Sequence, residues 1–124
     1  MRVLVVDDSA VVRRLVTARL EADGHEVVEA SDGMAGLEAA LADPPNLVVL
    51  DRSMPRMDGF EVCTRLREQP ETADVAILML TDSSSEQALA EGIDRGADDF
   101  MSKPFSPREL SLRVRLLGSR RPAR

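Results

Sequence analysis

Short apolar runs alternate with longer stretches of helical period along the chain, and this alternation restricts the fold more than any other feature of the sequence. Five strand-like runs occur, at residues 3–6, 27–28, 47–50, 75–80 and, weakly, 100–101. Between them apolar residues recur at helical spacing, at residues 10–22, 34–42, 60–68, 86–95 and 107–117. Two of the runs are apolar throughout, which is typical of strands covered on both faces. Five βα units therefore predict an α/β fold with an open parallel sheet, right-handed crossovers and helices on both faces.

Turn residues and capping signals separate these segments. Typical turn dipeptides are Asp-Gly at 23–24, 32–33 and 58–59, and Pro-Pro at 44–45. Ser106 and Glu109 have the spacing of a capping box, and Pro107 suits the first helical position because it has no N–H to leave unpaired. Ser83 and Glu86 predict a capped start for the fourth helix in the same way.

Length and composition restrict the class of protein. The chain has 124 residues, enough for one domain with an ordinary core but short for two. Its 44% apolar and 31% charged residues are typical of a folded globular chain and exclude disorder throughout. The longest apolar runs have four to six residues, so we expect no membrane span, and the first residues lack the apolar segment of a signal peptide. The single cysteine excludes an internal disulfide and favours the cytoplasm.

The net charge of −6 is unevenly distributed, which affects the expected partners. Residues 1–107 carry 10 basic and 21 acidic side chains, whereas residues 108–124 carry six arginines and one glutamate. The acidic body would repel nucleic acid, and three Phe with no Trp or Tyr supply no platform for stacking bases, so we expect no direct nucleic-acid binding. We predict a domain over residues 1–118 and, at 119–124, a basic tail or the start of a linker to an effector domain.

Polar residues follow four of the five predicted strands. Asp7 and Asp8 end the first strand, Asp51 the third and Thr81 the fourth, and the only lysine, Lys103, follows the fifth by two residues. Because the carboxyl ends of parallel strands meet at one edge, we expect these residues to converge there. Three carboxylates at close range repel one another, and Mg²⁺, which prefers oxygen ligands, would relieve that repulsion. A carboxylate nucleophile, a metal, a cation and a hydroxyl are suited to phosphoryl transfer, with Asp51 the better nucleophile because it lies at the centre.

Four separated motifs carry a family resemblance: Val-Val-Asp7-Asp8-Ser, Leu-Val-Val-Leu-Asp51-Arg-Ser-Met-Pro-Arg-Met-Asp-Gly59, Leu-Met-Leu-Thr81 and Gly-Ala-Asp-Asp-Phe100-Met-Ser-Lys103-Pro104-Phe. In this order and spacing they resemble the receiver domain of two-component response regulators, over residues 2–117. The resemblance implies a chemotaxis-receiver-like, flavodoxin-like (βα)5 fold, with a doubly wound parallel five-stranded sheet of order 2-1-3-4-5.

The resemblance also implies the chemistry of the acidic residues. Asp51 matches the phosphoacceptor, which takes a phosphoryl group from a histidine kinase or phosphotransfer protein and later loses it to water. Asp8 matches the carboxylate that binds Mg²⁺ directly, Asp7 one that acts largely through a metal-bound water, and the backbone carbonyl of Ser53 the third protein ligand. Mn²⁺ suits the same oxygen ligands.

Four further positions match residues that respond to the phosphoryl group in this family. Lys103 matches the lysine that pairs with a phosphoryl oxygen, and Pro104 the residue after a cis peptide bond that positions it. Thr81 matches the hydroxyl that moves toward the phosphoryl group, and Phe100 the aromatic side chain that turns inward with it. The implied output is a population shift across helix 4, strand 5 and helix 5.

Some positions depart from the family pattern. After the switch Thr the family usually has a small residue, but here Asp82 adds a fourth carboxylate, so we predict slower phosphorylation than in an Asp82→Ala variant. Ser53 and Ser83 occupy positions that tune self-dephosphorylation, and their small hydroxyls leave the lifetime open. Phe100 lacks the hydroxyl of the commoner Tyr, so its switching would depend on burial alone.

The last helix raises a hypothesis about partners. Leu110, Val114 and Leu117 lie on one predicted face, which should meet the sheet, while Leu112 and Leu116 lie nearly opposite. The opposite stripe would contact a second subunit or a fused domain, either a winged-helix domain or a cyclic-dinucleotide synthase. Asp99 and Arg113 match one charge pair of the winged-helix dimer type, but Leu89 replaces its usual basic residue.

Two alternative functions remain open from the sequence. A haloacid dehalogenase-like phosphatase also uses an Asp nucleophile, Thr or Ser, Lys and Mg²⁺, but it places Asp-x-Asp on its first strand, whereas here Asp51 ends the third. A degenerate receiver, with Asp82 blocking phosphorylation, would serve only as a protein-binding scaffold. We expect no enzyme activity beyond self-phosphorylation and self-dephosphorylation.

Overall fold

The computed structural model describes the backbone of residues 1–82 and 86–120 and the side chains of residues 1–82 and 89–119. Strands and helices alternate through these ranges. The strands are β1 (Arg2–Val6), β2 (Glu26–Ala30), β3 (Leu47–Asp51), β4 (Ala76–Thr81) and β5 (Asp99–Ser102). The helices are α1 (Ala10–Ala22), α2 (Gly33–Ala42), α3 (Gly59–Glu68), α4 (Glu86–Arg95) and α5 (Pro107–Arg120).

The five strands form one parallel sheet in the order β2-β1-β3-β4-β5. The expected α/β class and the 2-1-3-4-5 order are therefore confirmed. Side chains alternate between the two faces of each strand, and in β1, β3 and β4 both faces are buried. One core contains Leu4, Val48 and Ile77, and the other contains Val3, Val49 and Leu78. Burial on both faces is the reason that these strands are continuously apolar.

The edge strands differ from the sequence-based prediction. β2 covers five residues, Glu26–Ala30, where apolar character marked only residues 27–28, and β5 covers Asp99–Ser102 instead of residues 100–101. An edge strand is partly exposed, so it retains polar residues such as Glu26 and Glu29 that hide it from a hydrophobicity pattern. Because β5 is longer than predicted, Lys103 follows it directly.

Side-chain caps begin several helices. Ser9 Oγ accepts from the Val12 N–H, and carboxylates at Asp32 and Asp58 cap α2 and α3 in the same way. At α5 the hydroxyl of Ser106 accepts from the Glu109 N–H, as its spacing predicts. The prediction for Ser83 lies outside the described residues.

Helix α5 separates its apolar residues into two stripes. Leu110, Val114 and Leu117 are buried in the core, whereas Leu112 and Leu116 are exposed, as their positions predict. The helix continues to Arg120, past residue 117, and residues 121–124 of the predicted tail lie outside the described ranges. Among the described helices, none combines the length and the apolar character that crossing a bilayer requires.

Candidate functional site

Two neighbouring strands bring three aspartates together. Asp51 is the last residue of β3, and Asp7 and Asp8 directly follow β1, which pairs with β3. One carboxylate oxygen from each lies within 4.8 Å of the others. Asp7 and Asp51 are buried, whereas Asp8 is exposed. We call this group the acidic pocket. Its three residues meet at the carboxyl edge of the sheet, where ligands bind in open α/β folds.

Hydrogen bonds restrict the carboxylates of the acidic pocket. The Ser9 N–H donates to Asp7 Oδ1 at 2.8 Å, and the Ser53 N–H donates to Asp51 Oδ1 at 3.3 Å. Asp7 is also held through its backbone N–H, which donates to the Ala30 carbonyl oxygen on β2 at 3.2 Å. Both buried aspartates are therefore oriented by the backbone that follows their strands.

Lys103 connects two strand ends through the pocket. Its Nζ donates to Asp51 Oδ1 at 3.1 Å and to Asp7 Oδ2 at 3.3 Å. The backbone N–H of Lys103 donates to the Thr81 carbonyl oxygen at 2.8 Å, which ties it to the end of β4. The peptide bond between Lys103 and Pro104 is cis. The only lysine of the chain thus lies between the carboxylates that the sequence singled out.

The pocket changes the acidity of its groups. Burial, followed by the negative charge of Asp7, raises the pKa of Asp51 to about 6, although the hydrogen bond and charge of Lys103 act in the opposite direction. Burial lowers the pKa of Lys103, but hydrogen bonds and charges from Asp51 and Asp7 outweigh it, so this pKa is raised overall. Lys103 is therefore a stable cation, while Asp51 is ionised only at an energetic cost.

The chemistry of the pocket fits a hard divalent cation. Three carboxylates and one ammonium leave two formal negative charges, which one dication would neutralise. Mg²⁺ binds carboxylate and carbonyl oxygens, and Mn²⁺ accepts the same ligands. The residues that could hold it are Asp7, Asp8, Asp51 and the backbone carbonyl of Ser53. Because Asp8 is exposed, a metal and its waters could reach the pocket from solvent.

The other predicted site residues lie on or next to β4 and β5, the two strands that follow β3 in the sheet. Thr81 is buried at the end of β4, while Asp82 next to it is exposed. Phe100 on β5 is half-buried, and its ring lies against α4 so closely that a Cβ atom at Gly92 would overlap it. Pro104 is exposed beside Lys103. The predicted modulating residue Ser83 lies outside the described residues.

The loop between β3 and α3 packs against the backbone of Asp51. A Cβ atom at Gly59 would lie 2.5 Å from the carbonyl oxygen of Asp51, so only glycine allows α3 to begin there. The Gly59 N–H donates to the Arg52 carbonyl oxygen at 2.9 Å and closes the loop. Within the loop, Arg56 has a positive φ of 69°, which is uncommon for a residue with a side chain.

Sequence reasoning missed two arginines near the pocket. Arg13 on α1 donates from Nη1 to the Asp7 carbonyl oxygen at 2.7 Å. Arg52 follows Asp51 and stacks on Phe60, with 5.0 Å from its guanidinium carbon to the ring centroid. Arg13 lies six residues after Asp7, in the second turn of the helix, and that spacing could have indicated a basic residue able to turn back toward the strand end.

Fold and site together define an open α/β domain with a metal-competent acidic pocket at the carboxyl edge of its sheet. A family model for the response regulator receiver domain matches residues 3–115. The chain belongs to this family of receiver domains, which act in two-component signal transduction. The resemblance found from the motifs is therefore confirmed.

Relatives with described roles are similar over nearly the whole chain. The "DNA-binding dual master transcriptional regulator RpaA" of Synechocystis is 43% identical over 116 residues, which cover 94% of this chain and 48% of that protein. The "Alkaline phosphatase synthesis transcriptional regulatory protein PhoP" of Bacillus subtilis is 44% identical with the same coverage. The chain thus spans about half the length of these relatives.

Solved structures show the same architecture. The chemotaxis protein CheY4 of Vibrio cholerae has a TM-score of 0.90 and 35% identity, covering 94% of this chain and 97% of that one. The receiver domain of NtrX from Brucella abortus has a TM-score of 0.87 and 31% identity, covering 94% and 98%. Both comparisons extend over essentially the entire described domain.

Proposed function

We propose that Asp51 accepts a phosphoryl group from a histidine of a sensor kinase or phosphotransfer protein, with Mg²⁺ or Mn²⁺ in the acidic pocket. The carrying observation is the contact of Lys103 Nζ with both Asp51, at 3.1 Å, and Asp7, at 3.3 Å. It supports a pocket in which a carboxylate nucleophile, two further carboxylates and a cation meet at one strand edge. Family membership supports the same role.

The transfer step exchanges one bond to phosphorus for another. A carboxylate oxygen of Asp51 forms a P–O bond as the P–N bond to the donor histidine breaks, and Asp51 becomes an acyl phosphate. The electron pair of the broken bond stays on the imidazole nitrogen, which takes up a proton from solvent. Lys103 would donate to a phosphoryl oxygen, because its ammonium already donates to the carboxylate that is modified. Attack by water later restores the carboxylate and releases phosphate.

Asp7, Asp8, Asp51 and the Ser53 carbonyl would hold the dication. When bound, it supplies positive charge that offsets the repulsion between the aspartates and the incoming phosphoryl oxygens. Asp7 has both carboxylate oxygens engaged, one by the Ser9 N–H and one by Lys103. Asp8 is exposed and has neither of these contacts. We therefore assign direct ligation to Asp8 and contact through a metal-bound water to Asp7.

The output would pass through α4, β5 and α5. Thr81 and Phe100 would respond to the phosphoryl group, and Phe100 already lies against Gly92 of α4. Exposed apolar side chains of α4 and α5 are Ile93, Leu112 and Leu116, and Leu112 lines a cleft with Arg19 of α1. These side chains would contact a second subunit or an effector domain fused downstream.

Part of this surface already forms ion pairs within the chain. Arg113 Nη1 donates to both Asp99 oxygens, at 3.0 and 2.9 Å, and Arg113 Nε donates to Glu109 at 3.0 Å. A dimer that used Asp99 and Arg113 across subunits would have to exchange these bonds.

RpaA and PhoP are named as transcriptional regulators. If this chain has such an effector domain, that domain and not the acidic receiver domain would contact DNA. We assign the receiver domain to residues 1–118 and propose that it acts in the cytoplasm.

A scaffold without phosphorylation is the second candidate, and its motivating residue is Asp82. The Asp82 side chain is exposed at the end of β4, close in sequence to the buried Thr81. A fourth carboxylate there would disfavour an incoming phosphoryl group. A phosphatase of the haloacid dehalogenase type is less well supported, since the proposed nucleophile ends the third strand in place of the first.

A phosphorylation experiment distinguishes these functions. The protein is incubated with a small-molecule phosphodonor and Mg²⁺, and its intact mass is measured for the wild type, Asp51→Asn and the control Asp94→Asn, which changes an exposed aspartate on α4. We expect one added phosphoryl group on the wild type and on Asp94→Asn, and none on Asp51→Asn. An unmodified wild type would support the scaffold, and catalytic turnover of a generic phosphate ester would support the phosphatase.

A further inference from the structure

Arg13 links the acidic pocket to the neighbouring strand. From α1 its Nη1 donates to the Asp7 carbonyl oxygen at 2.7 Å, and its Nε donates to Glu29 Oε1 on β2 at 3.3 Å. The Arg13 side chain is 18% exposed, and its bond to the Asp7 carbonyl oxygen is partly buried, whereas its bond to Glu29 is exposed. The guanidinium thus contacts Asp7 through its backbone carbonyl, in the peptide between Asp7 and Asp8, and not through its carboxylate.

The acceptor of this bond explains what Arg13 controls. The Asp7 carbonyl belongs to the planar peptide unit that joins Asp7 to Asp8, so fixing its oxygen fixes the plane that ends at the Asp8 Cα atom. Asp7 is held separately, through its N–H to Ala30 and through its carboxylate to Ser9 and Lys103. Asp8 is exposed and lacks such anchors on its side chain. Its direction therefore depends on the peptide plane that Arg13 fixes.

We propose that Arg13 is a positioning residue for the divalent-cation site, which aims Asp8 by holding the peptide between Asp7 and Asp8. This inference rests on the proposed function, because it assigns a role toward the metal of that site. Removing a group that orients a metal ligand without touching the metal usually weakens metal binding by about 10- to 100-fold. Glu29 accepts from the other side of the guanidinium and offsets its charge.

The charge of Arg13 makes the direction of the effect informative. A guanidinium near the pocket repels a dication, so its removal by charge alone would strengthen Mg²⁺ binding. Loss of positioning would weaken binding, because Asp8 would be free to turn away from the pocket. The two effects have opposite signs, and a merely structural link between α1 and β2 predicts neither a large loss nor its recovery by a lysine.

The test is calorimetric titration of the full chain with MgCl₂, with circular dichroism to verify folding of each variant. Arg13→Met keeps the apolar stem but removes all donors, Arg13→Lys restores a single cationic donor group, and Glu29→Gln is the control that leaves the bond to Asp7. We expect Arg13→Met to weaken Mg²⁺ binding about 10- to 100-fold. We expect Arg13→Lys to recover at least part of the loss, and Glu29→Gln to stay within about threefold of the wild type.

Three results would overturn the proposal. Unchanged or tighter Mg²⁺ binding by Arg13→Met would show that positioning is absent or smaller than the charge effect. An equal loss in Glu29→Gln would show that the contact between α1 and β2 matters, and not the bond to Asp7. If Arg13→Met does not fold, the Arg13→Lys variant tests the proposal instead. Mg²⁺ binding by Arg13→Lys that is more than about 100-fold weaker than wild-type binding would contradict rescue by the lysine ammonium. A wild type that binds no Mg²⁺ would instead refute the metal site of the proposed function itself.

Discussion

Asp51 combines two properties that oppose each other. It is almost fully buried, which favours its neutral form, yet the proposed reaction needs the carboxylate as a nucleophile. Lys103 partly resolves the conflict by donating to Asp51, but burial and, after it, repulsion from Asp7 keep the pKa of Asp51 raised to about 6. At neutral pH Asp51 is mostly ionised, and its buried charge lowers the stability of the folded state. A dication would remove this cost, so charge in the pocket would couple the proposed metal binding to the proposed reactivity.

The raised pKa predicts a pH-dependent effect of Asp51→Asn in the presence of a chelator. The folded state binds a proton at Asp51 more tightly than the unfolded chain does, so the contribution of Asp51 to stability is fully present below about pH 4 and is lost as the pH rises through about 6. Asparagine does not titrate. Thermal melts should therefore show the melting temperature of the variant rising relative to the wild type between about pH 4 and 7. A difference that stays constant over this range would contradict the assigned repulsion.

Asp82 should slow phosphorylation of Asp51. Its exposed carboxylate follows Thr81 at the carboxyl edge of the sheet, where an incoming phosphoryl group adds negative charge. We expect Asp82→Ala to be phosphorylated several-fold faster than the wild type, measured as the initial rate with a small phosphodonor. Asp82→Asn is the matched control, since it removes the charge while keeping the size. Rates within about twofold for both variants would exclude an electrostatic role for Asp82.

At the level of secondary structure elements, the junction of β3 and α3 places Asp51, the proposed nucleophile. Gly59 allows the backbone of α3 to approach the Asp51 carbonyl oxygen, and the buried side chains of Met54 and Met57 anchor the loop between them. The same loop contains Arg56 in a left-handed conformation. Such a conformation costs a residue with a Cβ atom about 1–2 kcal/mol, which the surrounding contacts have to offset.

Replacing Arg56 by glycine should stabilise the protein. Glycine removes the steric cost of the positive φ but increases the entropy of the unfolded chain, so we expect a net gain of about 0.5–1 kcal/mol in the free energy of unfolding. Gly24→Ala is the converse control. Gly24 has a φ of 94°, and a Cβ atom there would meet open space. We therefore expect Gly24→Ala to lower the free energy of unfolding by about 1 kcal/mol or more, and this decrease would report backbone strain alone. Urea denaturation measures both, and a less stable Arg56→Gly would show that the arginine side chain contributes more than its backbone costs.

At the scale of the whole molecule, the parallel sheet gathers groups that are far apart in the chain. Asp7, Asp51 and Lys103 come from the ends of β1, β3 and β5, and Lys103 reaches across the intervening strand end to both carboxylates. The apolar cores on both faces of the sheet stabilise this arrangement against the repulsion at its edge. Metal binding in the acidic pocket, as proposed, would therefore be linked to the stability of the fold.

This linkage predicts stabilisation of the folded state by Mg²⁺. At 100 times its dissociation constant the metal should raise the free energy of unfolding by about 2.7 kcal/mol, measured by urea denaturation with and without chelator. Asp8→Asn is the control, because it removes an exposed proposed ligand without opening a cavity. We expect the Mg²⁺-dependent gain to shrink strongly in this variant. An equal gain in both proteins would place the metal effect outside the acidic pocket.

Most of the architecture could be predicted because hydrophobic periodicity is a local property of the chain. Central strands such as β3, predicted at residues 47–50, are apolar enough to be recognised directly, and alternation with helices implies the parallel sheet. The edge strand β2 was underestimated because its exposed face retains polar residues. The sequence pattern predicts that α5 ends before Gly118, whereas the helix continues to Arg120 despite the low helix propensity of glycine, with Leu117 buried in the core.

The sequence by itself determined the order of the elements and the placement of Asp7, Asp8, Asp51, Thr81 and Lys103 at strand ends, because strand and helix periods are written residue by residue. Only the tertiary structure decided which of these groups touch. The contacts of Lys103 with two carboxylates, the raised pKa of Asp51 and the bond from Arg13 to the Asp7 carbonyl all depend on distances of a few ångströms between separate elements. Such distances follow from the packing of helices on the sheet, which no local pattern encodes.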